Sequence, residues 1–447
     1  MQRRIVDVQE VFDAHPLSKY QKIVIVLCFL VAALDGFDTA AVGFIAPMLK
    51  TEWGVSPVEL APLFAAGLFG LMTGAFIFGP LSDRIGRKPV LLVTTVFFGL
   101  ATCASTFATD IEMLTAMRFI TGLGLGGAMP ASVTVTAEIS PQARRATLVT
   151  MMFCGFTIGS AAAGLAASHI MAVWGWQGLL ALGGVLPLLH FLLLWALLPE
   201  SPRYLARHGA APDRIAALLK RLVPAANLEQ TEFAVPVRAP GSPVRQLFGR
   251  GLAMGTILIW VTFFMSLLVF YLLSSWLPLL ITSAGFSMGS ASAMGAMLAM
   301  GGTIGAIVIG RMMDAFEPHK VLAGAYIVAS LFVVILGHAV TVPWLLVVAI
   351  FGAGFGVAGA QVGINALAAG YYPTESRGTG VSWAHAVGRT GSILGSVTGG
   401  VLLSLGWDLS TVFAVAALSA LVAALAMLAK APRSTRTAVQ SSPSRAE

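Results

Sequence analysis

Four charged residues interrupt long apolar runs of the sequence: Asp35, Asp38, Arg118 and Arg389. A charged side chain at the centre of a bilayer costs roughly 2.5–3.5 kcal/mol on insertion scales, so each of these residues is a candidate for function. Asp35 and Asp38 are three positions apart and share one helix face. Two carboxylates so placed disfavour joint ionisation, and burial disfavours the charged form further. The pair is the candidate proton-coupling site, and the alternative is a structural polar cluster that faces other helices.

The first of the two arginines belongs with these carboxylates. Arg118 follows Glu112 by six residues, which places it about 9 Å along its helix from the outer side. It can pair with Asp38 or with Asp35 if their helices adjoin. A proton that arrives on the carboxyl would then free the arginine, whereas a permanent ion pair would only fix the first half of the molecule. We therefore predict proton coupling for Asp35, Asp38 and Arg118.

Arg389 has no acidic residue in the apolar runs of the second half to neutralise it. An unpaired buried cation is costly, so we predict that an anion completes this site, and a guanidinium matches a carboxylate bidentately. His385 precedes Arg389 by four residues on the same helix face, and it can hydrogen-bond a carboxylate or a ring hydroxyl. The alternatives are a backbone carbonyl or a snorkelling position for Arg389, and simple packing for His385.

Amide and aromatic side chains complete the predicted substrate site. A flat apolar wall with a few directed polar groups suits an aromatic ring that carries a carboxylate. Gln361 and Asn365 are spaced four residues apart, and buried amides need hydrogen-bond partners. Trp383, Phe264 and Tyr271 are the aromatic candidates, for which packing or contact with lipid is the alternative.

The composition indicates a bilayer rather than water. Hydrophobic residues make up 57% of the 447 residues and charged residues 11%, against about 25% charged in soluble proteins, and the mean hydropathy is +0.86. The formal net charge of +7 comes from short clusters between apolar runs, so no nucleic-acid partner is expected. The three cysteines lie in apolar runs without CxxC spacing, so neither a disulfide framework nor a metal site is expected.

Runs of about 20 apolar residues are long enough to span a membrane as helices. We predict an all-α membrane protein with twelve transmembrane helices, at residues 22–49, 59–80, 89–108, 112–137, 146–172, 179–198, 251–281, 290–310, 321–340, 343–370, 379–405 and 410–429. The polar loop 199–250 divides them into two six-helix bundles, 1–198 and 251–429, and 430–447 is a tail. Because 24 of the 27 Lys and Arg residues fall in the termini and the even-numbered loops, both termini and the central loop are predicted to be cytoplasmic.

The two bundles repeat each other at a nearly constant offset. Gly79 to Asp83 corresponds to Gly310 to Asp314, 231 positions later, and two further matches have offsets of 230 and 232. Parallel repeats are typical of transporters whose halves rock about a site at the midplane. No strand precedes the glycines of Gly122 to Gly127, and the sequence has no P-loop, so we expect no ATP, no cofactor and no enzymatic activity.

Three segments resemble the major facilitator superfamily. Gly79-Pro-Leu-Ser-Asp83-Arg84-Ile-Gly86-Arg87-Lys88 resembles its loop 2–3 signature, and Pro199-Glu-Ser-Pro-Arg203 resembles the branch that includes sugar and organic-ion transporters. More narrowly, Leu34-Asp35-Gly36-Phe37-Asp38-Thr39 resembles the Asp-Gly-x-Asp motif of the aromatic acid:H+ symporters. The resemblance covers nearly the whole chain. It implies the major facilitator fold, alternating access and a monomer as the working unit.

The resemblance also implies a cytoplasmic gate, in which charge pairs between helices break as that side opens. Gly79 and Gly86 would allow close helix approach and a tight turn, and simple anchoring by basic residues is the alternative. The second-half copy departs from the signature, because Glu317-Pro318-His319 replaces Gly-Arg-Lys. The predicted gate residues are Gly79, Asp83, Arg84, Gly86, Arg87, Glu138, Arg145, Asp314 and Arg377.

Together these features predict a secondary transporter that imports a small aromatic carboxylate, of the hydroxybenzoate or benzoate kind, by proton symport across a bacterial-type inner membrane. Symport suits an anion, because the negative cell interior opposes its entry by about 2.3 kcal/mol per charge per 100 mV, and one proton removes that penalty. The alternatives are transport of a non-aromatic organic acid, export of a cation or drug bound by Asp35 and Asp38, and a receptor or sensor that does not transport.

Overall fold

Long helices make up most of the chain in the computed structural model, which describes residues 4–228, 231–234, 247–249, 251–339, 342–372 and 377–430. The helices of the first half are α1 (Val8–Asp13), α2 (Lys19–Trp53), α3 (Pro57–Ile85), α4 (Arg87–Ser105), α5 (Ile111–Glu138), α6 (Arg145–Leu197), α7 (Pro202–Arg207) and α8 (Pro212–Leu222). Those of the second half are α9 (Ala253–Ser283), α10 (Met288–Ala315), α11 (Pro318–His338), α12 (Pro343–Tyr371), α13 (Arg377–Ser404) and α14 (Leu409–Lys430). A short 3-10 helix, Gln142–Arg144, precedes α6.

Two short strands add to the helices near the N-terminus. β1 (Arg4–Asp7) pairs in parallel with β2 (Thr231–Ala234), and Arg4 lies opposite Thr231. The sequence predicts no strand here. The pair connects the N-terminal segment to the central polar loop, so the loop is not an isolated linker.

Capping residues rather than apolar runs set the ends of the helices. Ser18 and Gln21 exchange hydrogen bonds at the start of α2, and Ser56 and Glu59 do the same for α3, which satisfies backbone N–H groups that have no partner within the helix. α2 ends at Trp53 and is followed by its cap Gly54, whose φ of 66° is accessible to glycine. The helices therefore run past most of the predicted boundaries; α3, for example, ends at Ile85 rather than at residue 80.

The longest helix contains two of the predicted spans. α6 has 53 residues and is interrupted at Gly175, where φ is 63° and ψ is −171°. A residue with a side chain rarely adopts this conformation, so the glycine turns the chain. The predicted spans at 146–172 and 179–198 lie on either side of it.

Ten helices of the described part are long and apolar enough to cross a membrane, compared with twelve predicted spans. Two features account for the difference. α6, with the 3-10 helix before it, counts as one stretch although Gly175 divides it. α13 has 28 residues but is not among the ten, because small and polar residues lower its hydropathy.

Glycines bring equivalent helices together in both halves. Gly122 of α5 lies directly against the Gly67 carbonyl of α3, and Gly354 of α12 lies against the Leu298 carbonyl of α10. A side chain at either position would overlap backbone, so these glycines are required for the close approach. Gly124, Gly126 and Gly127 also lie directly against neighbouring helices, so the glycine-rich stretch of α5 is a packing surface and not a nucleotide-binding loop.

The helices run between two faces of the molecule. The basic face contains Lys19, Arg87, Arg145 and the ends of α3, α5 and α6. The opposite face contains Trp53, Gly175 and the end of α9 at Ser283. Asp35, Asp38 and Arg389 lie well away from both faces, near the middle of α2 and α13.

Candidate functional site

Close packing of α2 against α6 fixes the first pair of candidate residues. Gly36 lies directly against the Phe156 carbonyl, and the Ser160 hydroxyl donates to the Gly36 carbonyl over 3.0 Å. The carboxylates on either side are buried, with Asp35 1% and Asp38 4% exposed. The glycine of the Asp-Gly-x-Asp motif thus allows α2 to pack closely against α6, and this packing buries the two neighbouring carboxyl groups.

Asp38 belongs to an ion-pair network within the first half. Arg118 Nη1 donates to Asp38 Oδ1 over 3.0 Å, and the Thr102 hydroxyl donates to the same oxygen over 3.0 Å. Arg118 Nη2 donates to the Ser105 hydroxyl over 2.7 Å. The structure therefore pairs Arg118 with Asp38 and not with Asp35. Sequence reasoning missed Thr102 and Ser105; their signal was the occurrence of two hydroxyl groups three residues apart in the apolar run that forms α4.

Asp35 has much weaker local partners. The Thr39 hydroxyl, one turn along the same helix, donates to Asp35 Oδ1 over 3.3 Å. Arg389 and Tyr271, both from the second half, lie within electrostatic range of this carboxylate. The two carboxylates, three positions apart on α2, thus differ in their partners. Asp38 is paired within the first half, whereas Asp35 faces the second half.

Arg389 is held by a hydroxyl group. Its Nη1 donates to the Tyr271 hydroxyl of α9 over 3.2 Å, and Tyr271 is buried. Among the described residues of the second half, the acids Asp314, Glu317 and Asp408 lie at helix ends. Within the described residues no ion pair of 4 Å or less joins Arg389 to a carboxylate, so the guanidinium retains donors for an added anion.

His385 lies on the same side of α13 as Arg389, between two aromatic rings. The imidazole is stacked on Phe153 of α6 with ring centres 6.4 Å apart, and Phe263 meets it edge-on at 5.1 Å. The contact with Phe153 crosses between the halves. Sequence reasoning placed Phe264 in the substrate site, whereas the structure places the neighbouring ring of Phe263 against His385.

Two further substrate candidates differ in their surroundings. The carbonyl oxygens of Gln361 and Asn365 in α12 are buried and have no hydrogen-bond partner among the described residues. Trp383 is 43% exposed and stacks on Trp260 at 5.9 Å. The structure thus leaves two buried acceptors on α12, and it places Trp383 in a separate aromatic pair nearer the basic face.

The two halves meet most closely between the middle of the helices and the opposite face. There Phe64 and Trp276 form an edge-on ring pair at 5.0 Å, and Gly43 of α2 lies directly against the Ser274 carbonyl of α9. The carboxyl group of Asp35 lies at the same interface. The candidate site is therefore bounded toward the opposite face by close contacts between the halves.

The basic face of the first half carries a charge network on Arg87. Its Nη2 donates to Asp83 over 2.9 Å and to Glu138 over 3.2 Å, and its Nη1 donates to the Ser82 carbonyl over 3.1 Å. The Arg87 side chain is 9% exposed and that of Glu138 13%, whereas that of Asp83 is 68% exposed. Three of the predicted gate residues therefore form one connected group around a buried guanidinium.

Two residues after α6 complete this network, and sequence reasoning assigned them no role. The Ser201 hydroxyl donates to Glu138, and Glu200 Oε1 accepts from the Arg87 backbone N–H over 2.9 Å. Gly86, with φ of 107°, forms the turn that presents this N–H. Both residues belong to the Pro199-Glu-Ser-Pro-Arg203 segment, which sequence reasoning used only to identify the family branch. The structure shows that this segment supplies hydrogen-bond partners for Arg87 and Glu138.

The other predicted gate residues lie outside this network. Arg145 donates to Gln9 Oε1 over 2.6 Å, and Arg84 is exposed. The close helix approach predicted at Gly79 is wrong, because a Cβ there would meet no atom within 4 Å. Asp314 is exposed at the end of α10, and the side chain of Arg377 lies outside the described residues.

A family model agrees with this architecture. The model of the Major Facilitator Superfamily matches residues 28–342 and 291–446. The chain belongs to this superfamily. It is therefore a multi-pass membrane protein of a transporter family and not an enzyme, and its nearly all-helical fold is the major facilitator fold.

Curated relatives and a solved structure match nearly the whole chain. The 4-hydroxybenzoate transporter PcaK of Pseudomonas putida is 43% identical over 409 residues, which cover 91% of both chains. A gallate transporter of Pseudomonas putida is 44% identical over 415 residues, which cover 92% of both. The inward open xylose transporter XylE from E. coli is 18% identical with a TM-score of 0.72, covering 92% of this chain and 97% of that one. The predicted likeness to aromatic acid transporters is confirmed.

Proposed function

We propose that the protein imports a small aromatic carboxylate, of the hydroxybenzoate or benzoate kind, together with a proton. The observation that carries this proposal is Arg389, whose guanidinium is held by the Tyr271 hydroxyl and faces Asp35 across the interface between the halves. A substrate carboxylate supplies the bidentate acceptor that this guanidinium lacks. The relatives named for 4-hydroxybenzoate and gallate transport support an aromatic acid as the cargo.

The remaining candidate residues would bind the ring of the substrate. The buried carbonyl oxygens of Gln361 and Asn365 lack donors, and a phenolic hydroxyl provides one. His385 offers a further hydrogen-bonding group one turn from Arg389. Tyr271 positions the guanidinium, and the aromatic candidates Phe264 and Trp383 would line the path to this site.

The proton-coupling residues in this scheme are Asp35, Asp38 and Arg118. Asp38 and Arg118 form an ion pair in this state, and a proton on Asp38 would release the guanidinium. Asp35 lies next to the anion site and has one weak hydroxyl donor. Protonation of Asp38 would therefore change the Arg118 ion pair, whereas protonation of Asp35 would change the charge beside the anion site.

The proposed topology has twelve membrane-spanning helices, with α6 providing two and α13 included. Residues 1–198 and 251–429 would form the six-helix bundles, with a central loop at 199–250 and a tail at 430–447. The basic face, with its Lys and Arg residues, would be cytoplasmic, and so would both termini. The chain would work as a monomer in the bacterial inner membrane.

The proposed gate lies at the basic face. Arg87 joins α3 to α5 through Asp83 and Glu138, and Glu200 with Ser201 joins the end of α6 to the same group. Gly79 and Arg84 lie near the end of α3, Gly86 forms the turn that follows it, and Arg145 at the start of α6 donates to Gln9. Asp314 and Arg377 would be the second-half counterparts. Motion of one half relative to the other changes the surroundings of these charges without breaking the bundles.

Radiolabelled uptake of 4-hydroxybenzoate into proteoliposomes under an imposed pH gradient tests the proposal. We expect accumulation that a protonophore abolishes and that benzoate-type acids inhibit. Inhibition by aliphatic diacids without inhibition by aromatic acids would overturn the aromatic assignment. Undiminished uptake by Arg389→Ala would overturn the site, and binding without accumulation would indicate a receptor. Liposomes without protein correct for passive entry of the protonated acid.

A further inference from the structure

The charged side chains in the middle of the described helices sum to zero net charge. They are Asp35, Asp38, Arg118 and Arg389, and together they form the charged layer of the molecule. Asp38 and Arg118 neutralise each other within the first half, through an ion pair of 3.0 Å in which both side chains are buried. Asp35 and Arg389 carry opposite charges and lie within electrostatic range of each other across the interface between the halves, but no ion pair joins them among the described residues. One of the two opposite charge pairs is therefore local, and the other depends on both halves.

The net charge of this layer depends on which of the two solutes is bound. The empty site, with ionised Asp35 and Arg389, is neutral. A monocarboxylate alone adds one negative charge, and a proton alone, on Asp35, leaves one uncompensated positive charge. A proton and a monocarboxylate together restore neutrality. Since an uncompensated charge in a low-dielectric interior is costly, the two singly loaded states are disfavoured during the movement of the halves.

We infer that the protein cycles between two neutral states, empty or loaded with one proton and one monocarboxylate, so that transport has 1:1 stoichiometry and is electroneutral. The inference rests on the proposed function and goes beyond it by fixing the number of protons. No covalent bond changes: the proton moves from the outer solution to the Asp35 carboxylate and leaves to the inner solution. The substrate carboxylate occupies Arg389 during the same interval.

The geometry favours Asp35 over Asp38 as the carrier of this proton. Asp38 already has the Arg118 guanidinium and the Thr102 hydroxyl as partners within the first half, so its charge is compensated without the substrate. Asp35 has the Thr39 hydroxyl at 3.3 Å, and its cationic neighbour is Arg389. When a substrate carboxylate occupies Arg389, Asp35 loses its compensating charge and takes a proton. In the reverse direction, protonation of Asp35 frees Arg389 for the substrate.

The other groups around Asp35 do not change this balance. α6 contributes Phe156 and Ser160, which carry no charge, and α9 contributes Tyr271. α13 contributes His385 next to Arg389, stacked on an aromatic ring. An imidazolium there would place a second cation beside the guanidinium.

The direct experiment separates the pH gradient from the membrane potential in proteoliposomes that contain the full chain. Valinomycin with a potassium gradient sets the potential, and 4-hydroxybenzoate, a monoanion near neutral pH, is the substrate. We expect uptake that follows the pH gradient and is unchanged by an inside-negative potential. Uptake that such a potential accelerates would mean more than one proton per substrate and would overturn the inference. Uptake that it slows would mean that the anion moves uncompensated, with the same consequence.

Asp35→Asn tests the assignment of the proton. With an uncharged residue at this position, the substrate-loaded layer is neutral but the empty layer is positive. Exchange of external for internal 4-hydroxybenzoate should therefore remain within about threefold of wild type, whereas net uptake falls by more than about tenfold. Loss of exchange in a folded protein that still binds substrate would overturn the assignment, and so would retention of net uptake.

Asp110→Asn is the matched control for this substitution. Asp110 is exposed and caps α5 outside the span, and the backbone N–H of Met113 donates to its carboxylate and lowers its pKa. Asparagine caps helices about as well, so net uptake and exchange should both be unchanged. Absence of uptake by wild type would count against the proposed function itself. Potential-dependent uptake by wild type would count only against electroneutrality.

Discussion

The two halves share a packing scheme and differ in how their buried charges are neutralised. Gly122 against Gly67 in the first half has its counterpart in Gly354 against Leu298 in the second. In the first half, Arg118 pairs with Asp38 and Arg87 pairs with Glu138. In the second half, Arg389 has a tyrosine hydroxyl. Duplicated packing with unequal charges is what a transporter needs if one half is a self-sufficient scaffold and the other is completed by its cargo.

The largest expected effect comes from removing one arginine in each half. Arg118→Met should lower the free energy of unfolding by about 3–5 kcal/mol, because it leaves Asp38 buried without a counter-charge. Arg389→Met should cost far less stability, because no carboxylate is ion-paired to it, while it abolishes uptake. Thermal unfolding in detergent, with uptake measured in parallel, compares the two.

The double variant Asp38→Asn/Arg118→Met controls for the loss of the arginine side chain as such. It should recover part of the stability that Arg118→Met loses, because no uncompensated charge remains. Equal destabilisation by Arg118→Met and Arg389→Met would contradict the distinction between the halves. It would show that Arg389 is a structural ion-pair partner after all.

Ligand-induced stabilisation is the next largest effect. At 100 times its dissociation constant, a ligand that binds the folded state alone adds about 2.7 kcal/mol to the free energy of unfolding. We expect 4-hydroxybenzoate to raise the unfolding temperature of the wild type but not of Arg389→Met. Gln361→Leu should keep the stabilisation by benzoate and weaken that by 4-hydroxybenzoate. An equal loss for both ligands would show that Gln361 does not interact with the ring hydroxyl.

The sequence predicts the fold and the identity of the charged residues well, for physical reasons. Apolar runs define the helices, and a buried charge is conspicuous in them, so Asp35, Asp38, Arg118 and Arg389 are all found. The choice of Asp38 rather than Asp35 as partner of Arg118 depends on the rotation of α2 relative to α5. That rotation is set by contacts such as Gly36 against Phe156, which no periodicity reveals.

Contacts between segments that are far apart in the chain could not be predicted from the sequence. Glu200 and Ser201 join the Arg87 network over more than 60 positions of separation from Glu138. Gln9 meets Arg145 and Arg203 at the basic face, and the strands β1 and β2 pair across most of the first half. Ordinary polar residues make these contacts, and their types alone do not distinguish them from exposed loop residues.

A smaller effect is expected at the basic face, where Glu138 and Asp314 differ. Glu138 accepts hydrogen bonds from Arg87 and Ser201, so Glu138→Gln should cost about 1.5–3 kcal/mol, the usual range for hydrogen bonds to a charged group. Asp314 is exposed, so Asp314→Asn should stay within about 0.5 kcal/mol of wild type. Denaturant unfolding of the two variants measures both values. Similar losses would mean that the second half carries an equivalent network.

The smallest effect should come from the exposed members of the charge pairs. The side chain of Asp83 is 68% exposed, and its bond to Arg87 spans the turn between α3 and α4. The second-half pair of Lys320 and Glu317 is also exposed, at 69% and 47%. Such pairs contribute about 0.2–1 kcal/mol. Asp83→Asn and Glu317→Gln should therefore have small, similar effects on stability that shrink as salt is added. If Asp83→Asn instead costs as much as Glu138→Gln and resists salt, then Asp83, Arg87 and Glu138 act as one coupled unit, and the exposed carboxylate is as essential to the gate as the buried one.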